Sequence, residues 1–348
     1  MNIDLTQRLI KLKQENKIFR IGVIGAGKFA TMFLTQAFRT EGFVISAIAD
    51  LDFNRAKQAL ITANTDKELD KSSLEQSIKS NTIWFTDSGS ELAQSEQLDL
   101  VIEATGNPEV GVDHCLEAFK AKSHVVLVTV EADVLCGAAL LKRANEAGVV
   151  CSMAYGDQPA LICELIERVQ TSGFEVVCAG KGTQYLPIYH KSTPETVWHY
   201  YGLSSQEAQA GGMNPKMFNS FLDGTKPAIE SSAISNATGL RAPPNGLNYP
   251  SGTIDQIPRL MKPTTDGGML NGSGFVEVIN SLDSDGDMLD YDIRKGVWVN
   301  LKAANTILIN SIRDIKKDMI ILPGLMAQKQ RLWQITVVRF WYIMVNTW

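Results

Sequence analysis

Long apolar runs are missing from these 348 residues: no stretch reaches the roughly 18 consecutive apolar residues that a membrane span needs. Basic residues do not predominate either. The 33 Lys and Arg face 38 Asp and Glu, for a net charge of −5, whereas a surface that grips nucleic-acid phosphates needs the opposite balance. That leaves room only for a local basic pocket able to hold a single phosphate. Histidine is scarce, at four, and no HExxH or other close ligand pair occurs. The five cysteines (Cys115, Cys136, Cys151, Cys163 and Cys178) are odd in number and contain no CxxC pair. This argues against a disulfide framework or a zinc site, and for reduced, largely core thiols in a cytoplasmic protein. Met1 to Phe19 reads as an amphipathic helix: it lacks the continuous apolar run and small-residue cleavage site of a signal peptide, and it carries Asp4 and Glu15, unlike a transit peptide.

What the sequence has is rhythm. Short β-branched runs at Phe19–Ile24, Phe43–Ala49, Ile83–Phe85, Leu98–Glu103, His124–Val128 and Val149–Met153 predict six strands. Helical patterns fall between them, at Lys28–Arg39, Asn54–Ala63, Ser90–Gln94, Pro108–Lys120 and Asp133–Ala147. Strands that are apolar throughout and alternate with helices imply an α/β doubly wound parallel sheet, a Rossmann domain over residues 1–155. The rhythm then changes to a helix over Pro159–Thr171, a strand at Glu175–Ala179, and a polar stretch from Gly180 to Ser273. A hairpin is expected next, Gly274–Leu282 with Met288–Leu301 around the Asp283-Ser284-Asp285-Gly286-Asp287 turn. This predicts an α+β catalytic domain over 156–303. Residues 304–348 form an atypical tail. No acidic residue occurs over 319–348, and three of the six tryptophans (Trp333, Trp341, Trp348) fall in its last 16 positions, so it reads as a frameshift or truncation product.

The first predicted strand runs into Gly25-Ala26-Gly27-Lys28-Phe29-Ala30, the GxGxxA pattern of a dinucleotide-binding turn. Gly25 permits the tight turn, Gly27 lets the backbone approach a pyrophosphate, and Ala30 lets helix and strand pack closely. Helix N-terminal N–H groups then meet the anion. The βαβ unit ends at Asp50, 25 residues past Gly25, where an acid accepts from a ribose 2′-OH and favours NAD. Arg55 follows and offers the opposite preference, a cradle for the 2′-phosphate of NADP. The string Glu103-Ala104-Thr105-Gly106-Asn107-Pro108 closes the fourth predicted strand and should line the same crevice near the nicotinamide ribose; a plain strand–helix loop is the alternative.

Three polar strings carry a family resemblance: DQPALI at 157–162, NPKMFNSFLDGTKP at 214–227 and YDIRKGVW at 291–298. They resemble the homoserine-dehydrogenase-related oxidoreductases, in the branch of 1-deoxy-D-xylulose 5-phosphate reductoisomerase-like proteins. The resemblance spans about residues 1–300. It implies NADPH use, a homodimer, and reductive isomerisation of a sugar phosphate that feeds isoprenoid synthesis. Homoserine dehydrogenases proper place a lysine after the fifth strand, and here Val128-Thr129-Val130-Glu131-Ala132-Asp133 offers Ala132 instead.

Reductive isomerisation needs a group for proton transfer, a hold on the ketone and its neighbouring hydroxyl (often a divalent metal), and a phosphate anchor. Lys181, expected at a strand end between flexible glycines, is the leading candidate for substrate contact or proton transfer, against a solvated loop lysine. Asp223 and Lys226 read either as an acid–base pair or as a surface turn. Lys216 is a candidate phosphate anchor, with Asn219 or Ser220 as neutral donors. Asp157 and Glu164 are candidate metal or hydroxyl ligands, although Glu164 also fits a helix salt bridge. His190 and His199 read as loop residues, and the aspartate-rich run at 283–287 as a turn rather than a calcium loop.

Overall fold

The computed structural model describes residues 5–15, 17–294, 296–302 and 319–322. They divide between Asp157 and Gln158 into two compact units. The atypical tail lies outside the described residues, apart from Met319–Leu322.

The first unit opens with α1 (Leu5–Gln14), whose Leu9 enters the core. Seven parallel strands follow with helices between them. They are β1 (Phe19–Ile24), β2 (Phe43–Ala49), β3 (Leu69–Asp70), β4 (Ile83–Thr86), β5 (Leu100–Glu103), β6 (His124–Leu127) and β7 (Cys151–Met153), in the order β3-β4-β2-β1-β5-β6-β7. This is a Rossmann sheet, with one strand more than the six expected. The helices are α2 (Lys28–Ala37), α3 (Phe53–Ala63), α4 (Leu74–Ser80), α5 (Gly89–Ala93), α6 (Pro108–Lys120) and α7 (Val130–Ala147). Pro108 fills the first turn of α6 behind an Asn107 cap, and Gly148 ends α7 in the left-handed region at φ 72°. Helix α4 and the two-residue β3 were not expected. Their segment offers few apolar positions, and Ser73 makes the helix by accepting from Gln76 N–H at 3.1 Å. The order of the sheet reverses between β1 and β5, which sets the crevice of a doubly wound domain at their C-terminal ends.

The second unit runs from α8 (Gln158–Thr171) into β8 (Glu175–Thr183) and then a helical stretch. The polar region expected to be irregular holds α9 (Val197–Tyr201), α10 (Ser205–Ala210), α11 (Pro215–Leu222), α12 (Thr225–Thr238) and α13 (Ile257–Leu260). Local caps explain why: Asn214 accepts from two N–H groups of α11, and Ser204 with Glu207 forms a capping box on α10. The sheet adds β9 (Phe275–Asn280), β10 (Val297–Lys302) and β11 (Met319–Leu322) in the order β11-β10-β8-β9. The expected hairpin between the last two long strands is therefore wrong. Strand β8 lies between β9 and β10, parallel to the first and antiparallel to the second. Only a small hairpin survives at the aspartate-rich turn, where Leu282 bridges Met288 and Asp283 N–H donates to Asp287 O at 2.9 Å. Among the described residues no helix is long and apolar enough to cross a membrane. All five cysteines are free thiols, and Cys115 and Cys178 are buried.

Candidate active site

Cofactor geometry is built first by the turn after β1. Gly25 adopts φ +94°, and a Cβ there would stand 2.7 Å from Ala104 O, so this position needs glycine both for its dihedral and for the approach of the β5 loop. Gly27 caps α2 without a side-chain bond, and no atom lies within 4 Å of where its Cβ would be. That open space above a helix N-terminus fits a pyrophosphate. Ala30 is fully buried beneath it, while Lys28 is exposed and Phe29 half-buried.

At the end of β2, Asp50 accepts from Ala26 N–H at 2.7 Å, Asp52 N–H at 2.8 Å and Arg55 Nε at 3.0 Å. The two residues read from sequence as rivals for the ribose are thus partners in one ion pair. The loop after β5 is equally well tied. Thr105 donates from N–H and hydroxyl to Glu103, and Gly106 N–H donates to Thr129 Oγ1 at 3.0 Å. Glu103 is wholly buried, with His114 Nδ1 3.7 Å from its Oε1. Burial pushes its carboxyl up, but His114, Thr105 and Thr129 together bring it below the usual carboxylate range. Gly111 of α6 leaves room for this carboxylate, since a Cβ there would stand 3.0 Å from Oε2.

In the second unit the chemistry gathers on α12 and β8. Lys181 does not emerge at a strand end as expected. It lies inside β8, 7% exposed, and its ammonium pairs with buried Glu230 of α12. Its flanking glycines do not serve flexibility: a Cβ at Gly180 would stand 1.7 Å from Glu277 O, and one at Gly182 1.9 Å from Ile293 O. Lys226 Nζ approaches the other oxygen of Glu230 at 3.9 Å, so one buried glutamate faces two lysines. Glu230 escaped the sequence reading. It falls four residues after Lys226, and that i,i+4 spacing is the signal that pointed to it.

The other candidates have more local partners. Asp223 accepts from Asn219 Nδ2 at 2.9 Å and Thr225 N–H at 2.8 Å, joining the end of α11 to the start of α12. Lys216 is exposed in the first turn of α11; the Glu195 carboxyl is held down first by its hydrogen bond with Thr193 and, more weakly, by the charge of Lys216. No described contact joins Lys216 to Lys181 or Glu230. Ser220 donates to Met217 O, and Asn219 accepts from Ser192 Oγ at 2.6 Å. Glu164 pairs with Arg168 one turn along α8, the salt-bridge alternative. Asp157 ends the first unit, its N–H donating to Ala154 O at 3.3 Å. Among the described residues no three His, Cys, Asp or Glu side chains come together as a metal-binding set, so no step below is routed through a metal.

Residues 19–155 match the model of the GFO/IDH/MocA oxidoreductase family with an NAD-binding Rossmann fold, and residues 156–320 match the catalytic domain of the oxidoreductase DRL. The second match continues past residue 303, where the resemblance was expected to stop. A search of curated proteins finds no match. Among solved structures, the chain is similar to an NAD-binding oxidoreductase from Klebsiella pneumoniae, at 17% identity, covering 48% of this chain and 43% of that one with a TM-score of 0.34. It is also similar to a homoserine dehydrogenase from Thiobacillus denitrificans, at 17% identity, 65% and 50% coverage and a TM-score of 0.44. A myo-inositol dehydrogenase from Lactobacillus casei, solved with NAD(H) and myo-inositol, gives 12% identity, 52% and 50% coverage and a TM-score of 0.35. The match spans half or less of the length of each of these three structures.

Proposed function

From the premise that the chain is an NAD(P)-binding oxidoreductase, a GFO/IDH/MocA-type Rossmann domain joined to a DRL-type catalytic domain, we propose that it uses NADPH to reduce or reductively isomerise a small polar keto substrate such as 1-deoxy-D-xylulose 5-phosphate. The observation that carries this reading is the buried Lys181–Glu230 pair with Lys226 beside it. Bound NADPH supplies the hydride. The chain's part is to hold the substrate and meet the charge that grows on its oxygen. An ammonium fixed by a buried carboxylate stays charged and aimed, so Lys181 needs no reorganisation when the oxyanion forms. Lys226 adds a second cation for a hydroxyl or phosphate oxygen, and Lys216 is the more distant candidate for the phosphate end.

NADPH is favoured by the state of Asp50. Its two oxygens already accept three N–H donors, while Arg55 engages it through Nε and keeps a side chain 53% exposed. An exposed guanidinium edge suits a 2′-phosphate better than an occupied carboxylate suits a 2′-OH. Homoserine oxidation is the weaker reading, because fully buried Ala132 occupies the position of the family lysine and offers no ammonium. The active form is read as a homodimer acting on small molecules only, which light scattering on the purified chain checks.

The deciding experiment follows NADPH consumption with the sugar phosphate, and NADP+ or NAD+ reduction with homoserine. Turnover of the first alone supports the proposal, and turnover of homoserine alone reverses it. Cofactor binding without turnover of either leaves a non-catalytic dinucleotide-binding protein.

A further inference from the structure

Hydride delivered to a carbonyl carbon leaves negative charge on the oxygen, which then needs a proton. Within the keto-reduction reading, on which this inference rests, few groups of the second unit are fit to give one. Lys181 is poorly suited, since giving up its proton would break the buried ion pair with Glu230. Asp223 is taken up in capping. Glu277 is fully buried and accepts from the N–H and Nδ2 of Asn248. Glu164 is paired with Arg168.

Just beyond β8 stands a different kind of group. Tyr185 Oη and His190 Nε2 share a hydrogen bond of 2.8 Å, with ring centroids 5.3 Å apart. The backbone of Tyr185 is pinned by its N–H bond to Asn280 Oδ1 at 2.9 Å. Its ring stacks on Tyr249, centroids 4.2 Å apart and planes 23° from parallel. Tyr249 is held at φ +51°, a left-handed conformation unfavourable for a non-glycine residue that surrounding structure must enforce. Burial first, then Tyr185, Glu277 and Asp223, push the Tyr249 phenol up, so it remains a neutral platform under Tyr185.

This aromatic group adjoins the helix that carries the lysine cluster. Tyr249 Oη donates to Gly224 O at 3.4 Å, and a Cβ on Gly224 would stand 3.4 Å from His190 Cε1. Gly224 opens α12, and Glu230 follows six residues later, about 9 Å along the helix axis. The Tyr–His pair and the lysines therefore flank the first two turns of one helix, a span suited to a small molecule with polar groups at both ends. His190 is exposed and Tyr185 half-buried, so solvent can reach the imidazole.

We propose that Tyr185 and His190 are the acid of the reaction, Tyr185 giving its hydroxyl proton to the substrate oxygen and His190 replacing it. As hydride reaches the carbonyl carbon, a C–H bond forms and the C=O π pair moves to oxygen. That oxygen takes the Tyr185 proton, and His190 Nε2 passes a proton to the phenolate as the imidazole takes one from solvent. The nicotinamide is oxidised and the ketone reduced. Lys181 stabilises the charge on the oxygen.

The test compares Tyr185→Phe and His190→Ala with the wild type. His199→Gln serves as a control at an exposed ring that meets Tyr200 edge to face. Both dyad variants should lose about 100-fold or more in kcat while KM and the NADPH dissociation constant stay within roughly threefold. Added imidazole should restore part of the His190→Ala rate, which a purely structural defect does not allow. His190→Asn guards against misfolding, with the same loss expected at an unchanged Tm. Dyad variants that keep kcat within about threefold of wild type overturn the assignment. A loss that imidazole does not rescue, with KM rising in parallel, overturns it too. A wild type that turns over no carbonyl or alcohol substrate removes the keto-reduction reading, and the dyad's role with it.

Discussion

Gly25-Ala26-Gly27 follows β1 and Gly180-Lys181-Gly182 lies within β8, and the two glycine pairs work in different ways. In the first, Gly25 lets the β5 loop pack close, 2.7 Å from where its Cβ would be, while Gly27 leaves open space, with nothing within 4 Å of a Cβ there. The second abolishes space, for carbonyl oxygens of Glu277 and Ile293 would lie under 2 Å from a Cβ at Gly180 or Gly182. The open side of Gly27 suits close approach of a pyrophosphate. Gly180 and Gly182 let neighbouring backbone pack close on the strand face opposite Lys181, whose own side chain pairs with Glu230. An identical G-x-G string thus builds a cofactor cradle in one unit and a rigid support for a charged group in the other.

Alanine substitutions should separate the two most strongly. Gly182→Ala and Gly180→Ala are expected to lose about 3 kcal/mol or more, or to fail to fold, because the obstacle is backbone and cannot swing away. Thermal or urea unfolding reads this directly, and near-wild-type stability would break the comparison. Glu230→Gln should cost about 3–5 kcal/mol by leaving Lys181 buried without its counter-charge. The double variant Lys181→Met, Glu230→Leu should recover much of that stability while remaining inactive. Gly27→Ala, by contrast, should leave Tm nearly unchanged yet weaken NADPH binding by about 10- to 100-fold, or roughly 1.4–2.8 kcal/mol. Arg55→Ala should have the smallest effect, weakening NADPH by about tenfold and NADH hardly at all, which parallel titrations measure.

The cofactor half was readable in advance because its signals are local and periodic. Short apolar strands, the GxGxxA turn and the Asn107–Pro108 helix start each constrain a few neighbouring residues. In the second unit the decisive relations are long-range. Lys181 meets Glu230 across 49 residues, and β8 is inserted between β9 and β10, strands that begin only at Phe275 and Val297. A plausible turn at Asp283–Asp287 suggested a hairpin, but no local pattern announces that a third strand divides it. Tyr185 and His190 stand only five residues apart, yet they lie in a polar stretch where neither helix nor strand period marks them as neighbours. Composition read the region 180–273 as irregular, whereas caps at Asn214 and Ser204 start helices there, and α11 carries Met217, Phe218, Phe221 and Leu222 at a helical spacing that the polar surroundings concealed.

The account assigns cofactor binding to the first unit and substrate chemistry to Lys181 in the second, and one paired measurement addresses that division. Calorimetric titration of NADPH into wild type and Lys181→Gln, with turnover followed on the same samples, should give matching micromolar-range binding and a rate loss of about 100-fold or more in the variant alone. A folded wild type that binds no NADPH, or a Lys181→Gln variant that keeps its rate, would contradict it.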